Sequence, residues 1–125
     1  MAQQREQVVA IVDDDASVRR SVSNLLLSLG IHAESFGSAE AFLQSPYLGE
    51  IACLVLDLRM PGMQGLELLA HLAHAEHPIP VVILTAHGDD ETRERALSAG
   101  VIAFFLKPFR NDELISAIKS AMVHA

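Results

Sequence analysis

Five short apolar runs, each followed by a stretch of helical period, restrict what this chain can become. The runs cover residues 8–12, 31–36, 53–56, 81–84 and 101–106. Each is too short for a buried helix and is rich in β-branched or aromatic residues, which predicts strands. Four are continuously apolar, as suits strands covered on both faces. The second, "IHAESF", alternates instead and predicts an edge strand. Between the runs lie helical stripes. Val18, Val22, Leu25, Leu26 and Leu29 form the first, and Gly30 stops it. Ser38 is placed to cap a short helix holding Phe42 and Leu43, ending before Pro46. Leu66, Leu69 and Leu72 mark a third. Leu114, Ile115, Ile118 and Met122 mark the last, with Asn111, Asp112 and Glu113 at its positive end. The fourth stretch, 90–99, is charged and offers little more than Ala96, Leu97 and Ala99 as an apolar face. Such a helix docks weakly, and weakly docked elements are the ones that move.

A strand–helix alternation repeated five times predicts an α/β fold. Its sheet is parallel, its crossovers are right-handed and its helices lie on both faces. With 125 residues, half of them apolar, the expectation is one domain over 1–125 with a single proper core. No apolar run approaches the ~18 residues of a membrane helix, and "MAQQREQ" lacks the apolar segment of a secretory signal. Cys53 is the only cysteine and lies inside an apolar run, so it reads as a buried, inert thiol. A reducing, cytoplasmic location is expected. The net charge of −7 disfavours direct contact with nucleic acid or anionic membrane and favours a bound cation or a basic protein partner.

Sites in open parallel sheets form outside the carboxyl ends of the strands. Here the first strand ends in Asp13, Asp14 and Asp15, the third in Asp57, the fourth in Thr85 and the fifth in Lys107. Carboxylates gathered at one edge repel: two charges ~5 Å apart cost about 3 kcal/mol at an effective dielectric of 20. A hard divalent cation removes that cost, and Mg2+ (or Mn2+) takes oxygen ligands and keeps sites open for phosphate. Lys107 supplies a point charge and Thr85 a hydroxyl donor to the same phosphate. So screened, Asp57 can attack a phosphoryl group and become an acyl phosphate. Taken one at a time, these residues have plainer readings. "DDD" can be a solvated turn capping a helix, Thr85 a strand-end hydroxyl and Lys107 an exposed lysine. Together they must explain why four of five strands end in complementary phosphate chemistry.

The chain resembles the receiver domain of two-component response regulators. The resemblance rests on "VDDD" (12–15), "LDLRMPGMQG" (56–65), "LTAHGD" (84–89) and "FFLKPF" (104–109), in that order and spacing. It implies a flavodoxin-like (βα)5 sandwich with strand order 2-1-3-4-5. It implies that Asp57 is the phosphoacceptor, and that Asp14, Asp57 and the backbone carbonyl of Arg59 ligate the metal directly. Asp13 would act largely through a water. It further implies that Thr85 is the switch hydroxyl, Lys107 the invariant lysine and Phe104 the aromatic that turns inward on activation. The Lys107–Pro108 bond falls where the family holds a cis peptide. Arg59 and His87, each two residues past a key position, would tune how long the phosphoryl group lasts.

The partners implied are a sensor histidine kinase and a C-terminal output domain or downstream protein, with transcription as the controlled process. "FGSAEAFL" and "DLRMPGMQGLELL" are similar to the branch whose receivers often precede a helix-turn-helix domain. A homodimer through the fourth helix, fifth strand and fifth helix is a further expectation. Two rivals stand beside this reading: a stand-alone phosphorylation-regulated interaction module, and a Mg2+-dependent phosphatase with an aspartyl intermediate. His71, His74 and His77 suggest zinc by spacing, but no cysteine or acid completes the set, and a solvated helix end is the reading adopted.

Overall fold

The computed structural model describes residues 7–74 and 78–123. Five strands and five helices alternate: β1 (Val8–Val12), α1 (Ala16–Ser28), β2 (His32–Phe36), α2 (Ala39–Leu43), β3 (Ile51–Leu56), α3 (Gly65–Ala73), β4 (Val81–Thr85), α4 (Asp90–Ser98), β5 (Ala103–Leu106) and α5 (Asn111–Val123). The sheet is fully parallel, in the order β2-β1-β3-β4-β5. The fold class and strand order expected from the sequence are those observed.

The burial pattern explains why the strands were readable. Every residue of β1, β3 and β4 is buried, because each of these strands has a neighbour on both sides and helices on both faces. Successive side chains then divide between two cores. Ala10, Val12, Leu54, Leu56 and Ile83 meet Phe42, Leu68 and Ala96 of α2, α3 and α4. On the opposite face, Val9, Ile11, Cys53, Val55, Val82 and Leu84 meet Val22 and Leu26 of α1 and Leu114 and Ile118 of α5. Burial pushes the Cys53 thiol up to about 12, so it stays protonated and inert.

Helix ends follow the capping residues. Asp15 caps α1 by accepting the Ser17 N–H at 2.8 Å, and Ser38 caps α2 by accepting the Ala41 N–H at 3.1 Å. Both α1 and α4 close in the same six-to-one pattern, Ile31 N–H to Leu26 O and Val101 N–H to Ala96 O. The glycines that permit it, Gly30 and Gly100, sit at φ +75 and +92.

Two strand boundaries differ from expectation by two residues. The apolar run 101–106 gives a strand only from Ala103, because the Val101 amide is spent on the end of α4 and Ile102 sits in a bend, 46% exposed. β3 begins two residues early, at Ile51, directly after a 3-10 turn over Leu48–Glu50 that is too short to carry a readable periodicity. The apolar face of α4 is as sparse as expected: Ala96 is its one fully buried residue and Leu97 is 45% exposed.

Candidate phosphoacceptor site

Register brings the site together. Val12 pairs with Leu56 across β1 and β3, so the next residues, Asp13 and Asp57, leave the sheet side by side. The Asp57 N–H donates to Val12 O at 2.9 Å, which fixes that adjacency through the backbone. On the far side Thr85 pairs with Leu106, and the Lys107 N–H donates to Thr85 O at 2.9 Å. The sheet therefore presents Asp13, Asp57, Thr85 and Lys107 in one row along its carboxyl edge, with Asp14 in the β1–α1 turn.

The side chains converge. One carboxylate oxygen from each of Asp13, Asp14 and Asp57 lies within 4.8 Å of the other two. The Thr85 hydroxyl donates to Asp57 Oδ1 at 2.8 Å and accepts the His87 N–H at 3.2 Å. Lys107 Nζ reaches Asp13 Oδ2 at 2.8 Å and Asp57 Oδ2 at 3.5 Å. Asp13, Asp57 and Thr85 are only 2%, 5% and 0% exposed, whereas Asp14 is open to solvent. The Lys107–Pro108 peptide is cis.

Burial of the carboxylates has an electrostatic cost, and it shows. Desolvation raises the pKa of Asp13 above its ordinary value, and the nearby Asp57 charge adds to it, against the lowering from the Lys107 and Asp15 hydrogen bonds. For Lys107, burial alone would favour the neutral amine. The hydrogen bond to Asp13 and the charges of Asp57 and Asp13 outweigh it and hold the ammonium above its ordinary value. The lysine is thus a fixed cation between two buried acids.

The donor set fits a hard divalent cation. All the acids offer oxygen, and the pocket holds more negative charge than Lys107 neutralises. Asp13 has both oxygens engaged, by Lys107 and by the Asp15 N–H at 2.9 Å, which suits action through a water. Among the described residues the Asp14 carboxylate carries no hydrogen bond and is free to ligate.

The remaining expected residues lie around this centre. Arg59 is exposed, and its N–H makes a long contact of 3.4 Å to Asp57 Oδ1. His87 is exposed in the β4–α4 loop. Phe104 is half-buried on β5, packed against the core that holds α4. Asp15 goes to the helix cap, so the "DDD" run serves both of its readings at once. His71 and His74 are exposed at the end of α3 and join no metal-binding cluster among the described residues; His77 lies outside those residues. Two supporting residues had no signal in the sequence. Arg19 of α1 donates from Nη1 to the Asp13 carbonyl at 2.7 Å, and Glu40 of α2 accepts the Met63 N–H at 3.0 Å. Glu40 reaches across the fold, where no local pattern points, while Arg19 reaches back six positions to a backbone carbonyl at the β1–α1 junction.

Comparison with known proteins agrees with this geometry. The response regulator receiver domain family matches residues 9–119. Nodulation protein W of Bradyrhizobium diazoefficiens is 43% identical over 91% of the chain, and transcriptional regulatory protein FixJ of the same organism is 38% identical over 94%. The chain spans about half the length of these relatives, 50% and 57% respectively. A solved structure titled FixJ-N superposes with a TM-score of 0.86 at 39% identity, covering 98% of both chains. A match to the family over residues 9–119, on a sheet whose carboxyl edge gathers these acids with a threonine and a lysine, shows that the chain belongs to the response regulator receiver domains.

Proposed function

We propose that residues 1–125 act as one receiver unit that takes a phosphoryl group onto Asp57 from the phosphohistidine of a sensor histidine kinase. One observation carries this reading. Asp57 is a buried carboxylate held on one oxygen by the Thr85 hydroxyl and flanked on the other by Lys107, beside two further acids. Mg2+ held by Asp14, Asp57 and the Arg59 carbonyl, with Asp13 behind a water, would neutralise charge on the transferring phosphoryl oxygens. The chain's own residues supply the rest. An Asp57 oxygen forms a bond to phosphorus as the phosphorus–nitrogen bond breaks, and the electron pair leaves with the imidazole. Lys107 stabilises the oxygens that gain charge, and burial around Asp57 keeps bulk water from competing. Return to carboxylate follows when water attacks phosphorus and the phosphorus–Asp57 oxygen bond breaks.

The switch follows from the same contacts. In the unmodified state Thr85 donates to Asp57 Oδ1; a phosphoryl oxygen offers it a stronger acceptor. A threonine drawn to that acceptor leaves room for Phe104, and the weakly docked α4 adjusts at little cost. The face formed by α4, edge strand β5 and α5 exposes Leu97, Ile102 and Leu106, and would carry the message to an output domain or to a second copy of the chain. Relatives about twice as long, one a transcriptional regulatory protein by name, support transcription as the output. The charge of −7 supports an output through protein contact, with no nucleic acid bound by this domain. No helix among the described residues is long and apolar enough to cross a membrane.

Incubation with acetyl phosphate and Mg2+ should add one phosphoryl mass to the wild type and none to Asp57→Asn. Equal modification of the two would remove Asp57 from the role. Arg59 and His87 are exposed, and their backbone N–H groups contact Asp57 Oδ1 and the Thr85 hydroxyl, so Arg59→Ala and His87→Ala should each change the acyl-phosphate lifetime several-fold. The decay of pre-phosphorylated protein measures this, and lifetimes equal to wild type would exclude a tuning role.

A further inference from the structure

The segment after Asp57 is held at its crest by a residue from a different element. Glu40 lies in the first turn of α2, and its Oε2 accepts the Met63 N–H at 3.0 Å, across 23 positions of sequence. Gly62, just before, sits at φ +76, and a Cβ there would come within 2.5 Å of Glu40 Oε2. Glycine at this position therefore allows the left-handed turn and leaves space for the carboxylate. The Met63 amide is the main cause holding the Glu40 carboxyl below the usual carboxylate range, so the acceptor is ionised at neutral pH.

The remaining anchors of this segment lie at its two ends. Leu58 and Met60 are buried, the Gly65 N–H donates to the Leu58 carbonyl at 2.9 Å, and the Gln64 N–H donates to Glu67 Oε1 at 3.1 Å within the α3 cap. Among the described residues, 61–63 have no other hydrogen bond to a different element. Between the buried Leu58 and Met60 lies Arg59, whose N–H and carbonyl face the acidic pocket in the reading above.

We propose that Glu40 is a positioning residue for the phosphoacceptor site: by fixing the Met63 amide it holds the 58–63 segment in the form that presents the Arg59 backbone to the metal beside Asp57. The inference rests on the reading that this pocket binds Mg2+. Without the tether the segment samples other arrangements, and apparent affinity falls with the fraction that remains competent. A fraction of about a third to a tenth raises the Mg2+ dissociation constant roughly three- to tenfold. Glu40 is exposed, so its loss should barely move the melting temperature.

The test is calorimetric titration of Mg2+ alone into wild type, Glu40→Ala and Glu40→Gln, together with hydrogen exchange at the Met63 amide and a thermal melt of each. Glu40→Ala should bind Mg2+ roughly three- to tenfold more weakly and exchange Met63 faster while melting near wild type. Glu40→Gln keeps an acceptor oxygen and should restore most of both. Wild-type affinity in Glu40→Ala, or a Glu40→Gln as weak as Glu40→Ala, overturns the proposal. Absence of Mg2+ binding by wild type itself overturns the underlying reading of the pocket, and this proposal with it.

Discussion

Replacing Lys107 with methionine will slow phosphoryl uptake at Asp57 by roughly 100-fold or more, the size seen when one preorganised charge stabiliser is removed from a buried site. Methionine keeps the length and packing of the stem, so the variant isolates the charge. The ammonium is 2.8 Å from Asp13 Oδ2 and 3.5 Å from Asp57 Oδ2, and both acids are almost fully buried. Its loss leaves two close carboxylates facing each other with no cation between them. Metal-free stability should fall by about 2 kcal/mol, less than for a fully buried pair because solvent reaches the lysine. For a chain of this length that is about 8 °C in melting temperature.

The pH dependence of that loss has a definite sign. The folded protein holds Lys107 above its ordinary 10.5. A lysine with a raised folded value contributes fully below 10.5, and the contribution is lost as pH rises through the folded value. The gap between wild type and Lys107→Met should stay constant from neutral to mildly alkaline pH and close only above 10.5. Acetyl phosphate uptake followed by mass, with melts at several pH values, reads both effects. Uptake within threefold of wild type, while Asp57→Asn takes up none, would remove Lys107 from the chemistry.

The contrast between what was legible and what was not follows from the range of each interaction. β1, β3 and β4 are buried on both faces, so burial alone wrote them into the sequence as unbroken apolar runs. β2 lies at the sheet edge, where every residue but the exposed Ser35 is half-buried, so polar and apolar residues mix along it. β5 was over-extended because apolarity reports burial and says nothing of hydrogen bonding. Val101 is buried and apolar, yet its amide closes α4. The row of Asp13, Asp57, Thr85 and Lys107 was legible because a parallel sheet delivers every strand's carboxyl end to one edge. Glu40 was not, since its partner, 23 positions away, is chosen by the tertiary fold; Arg19 was not, since its partner is a backbone carbonyl, which no side-chain pattern marks. The need for glycine at position 62 likewise appears only once Glu40 is seen against it.

Adding Mg2+ at about 100 times its dissociation constant should stabilise the folded chain by about 2.7 kcal/mol, or about 10 °C in melting temperature. The size follows from linkage, and the location follows from the acids. In the metal-free protein Asp13 has a raised pKa, so the folded state holds its proton more tightly than the unfolded chain does. For such a group stability falls as pH climbs from 3.8 through the raised value, which leaves the neutral-pH protein carrying a desolvated charge, repelled in addition by Asp57, that a cation relieves. Protons and metal would compete for this pocket, so the Mg2+-induced shift should shrink as pH is lowered through the Asp13 titration. Asp14→Asn is the informative variant, because the Asp14 carboxylate is exposed and carries no hydrogen bond that the fold uses among the described residues. It removes a proposed ligand and one acidic charge together. Metal-free Asp14→Asn should therefore melt at or slightly above wild type, while its response to Mg2+ largely disappears. Thermal melts of both proteins with and without Mg2+ decide the matter. An undiminished shift in Asp14→Asn would place the cation elsewhere, and no shift in wild type would leave the acidic edge without its counterion and the phosphoacceptor reading without its chemistry.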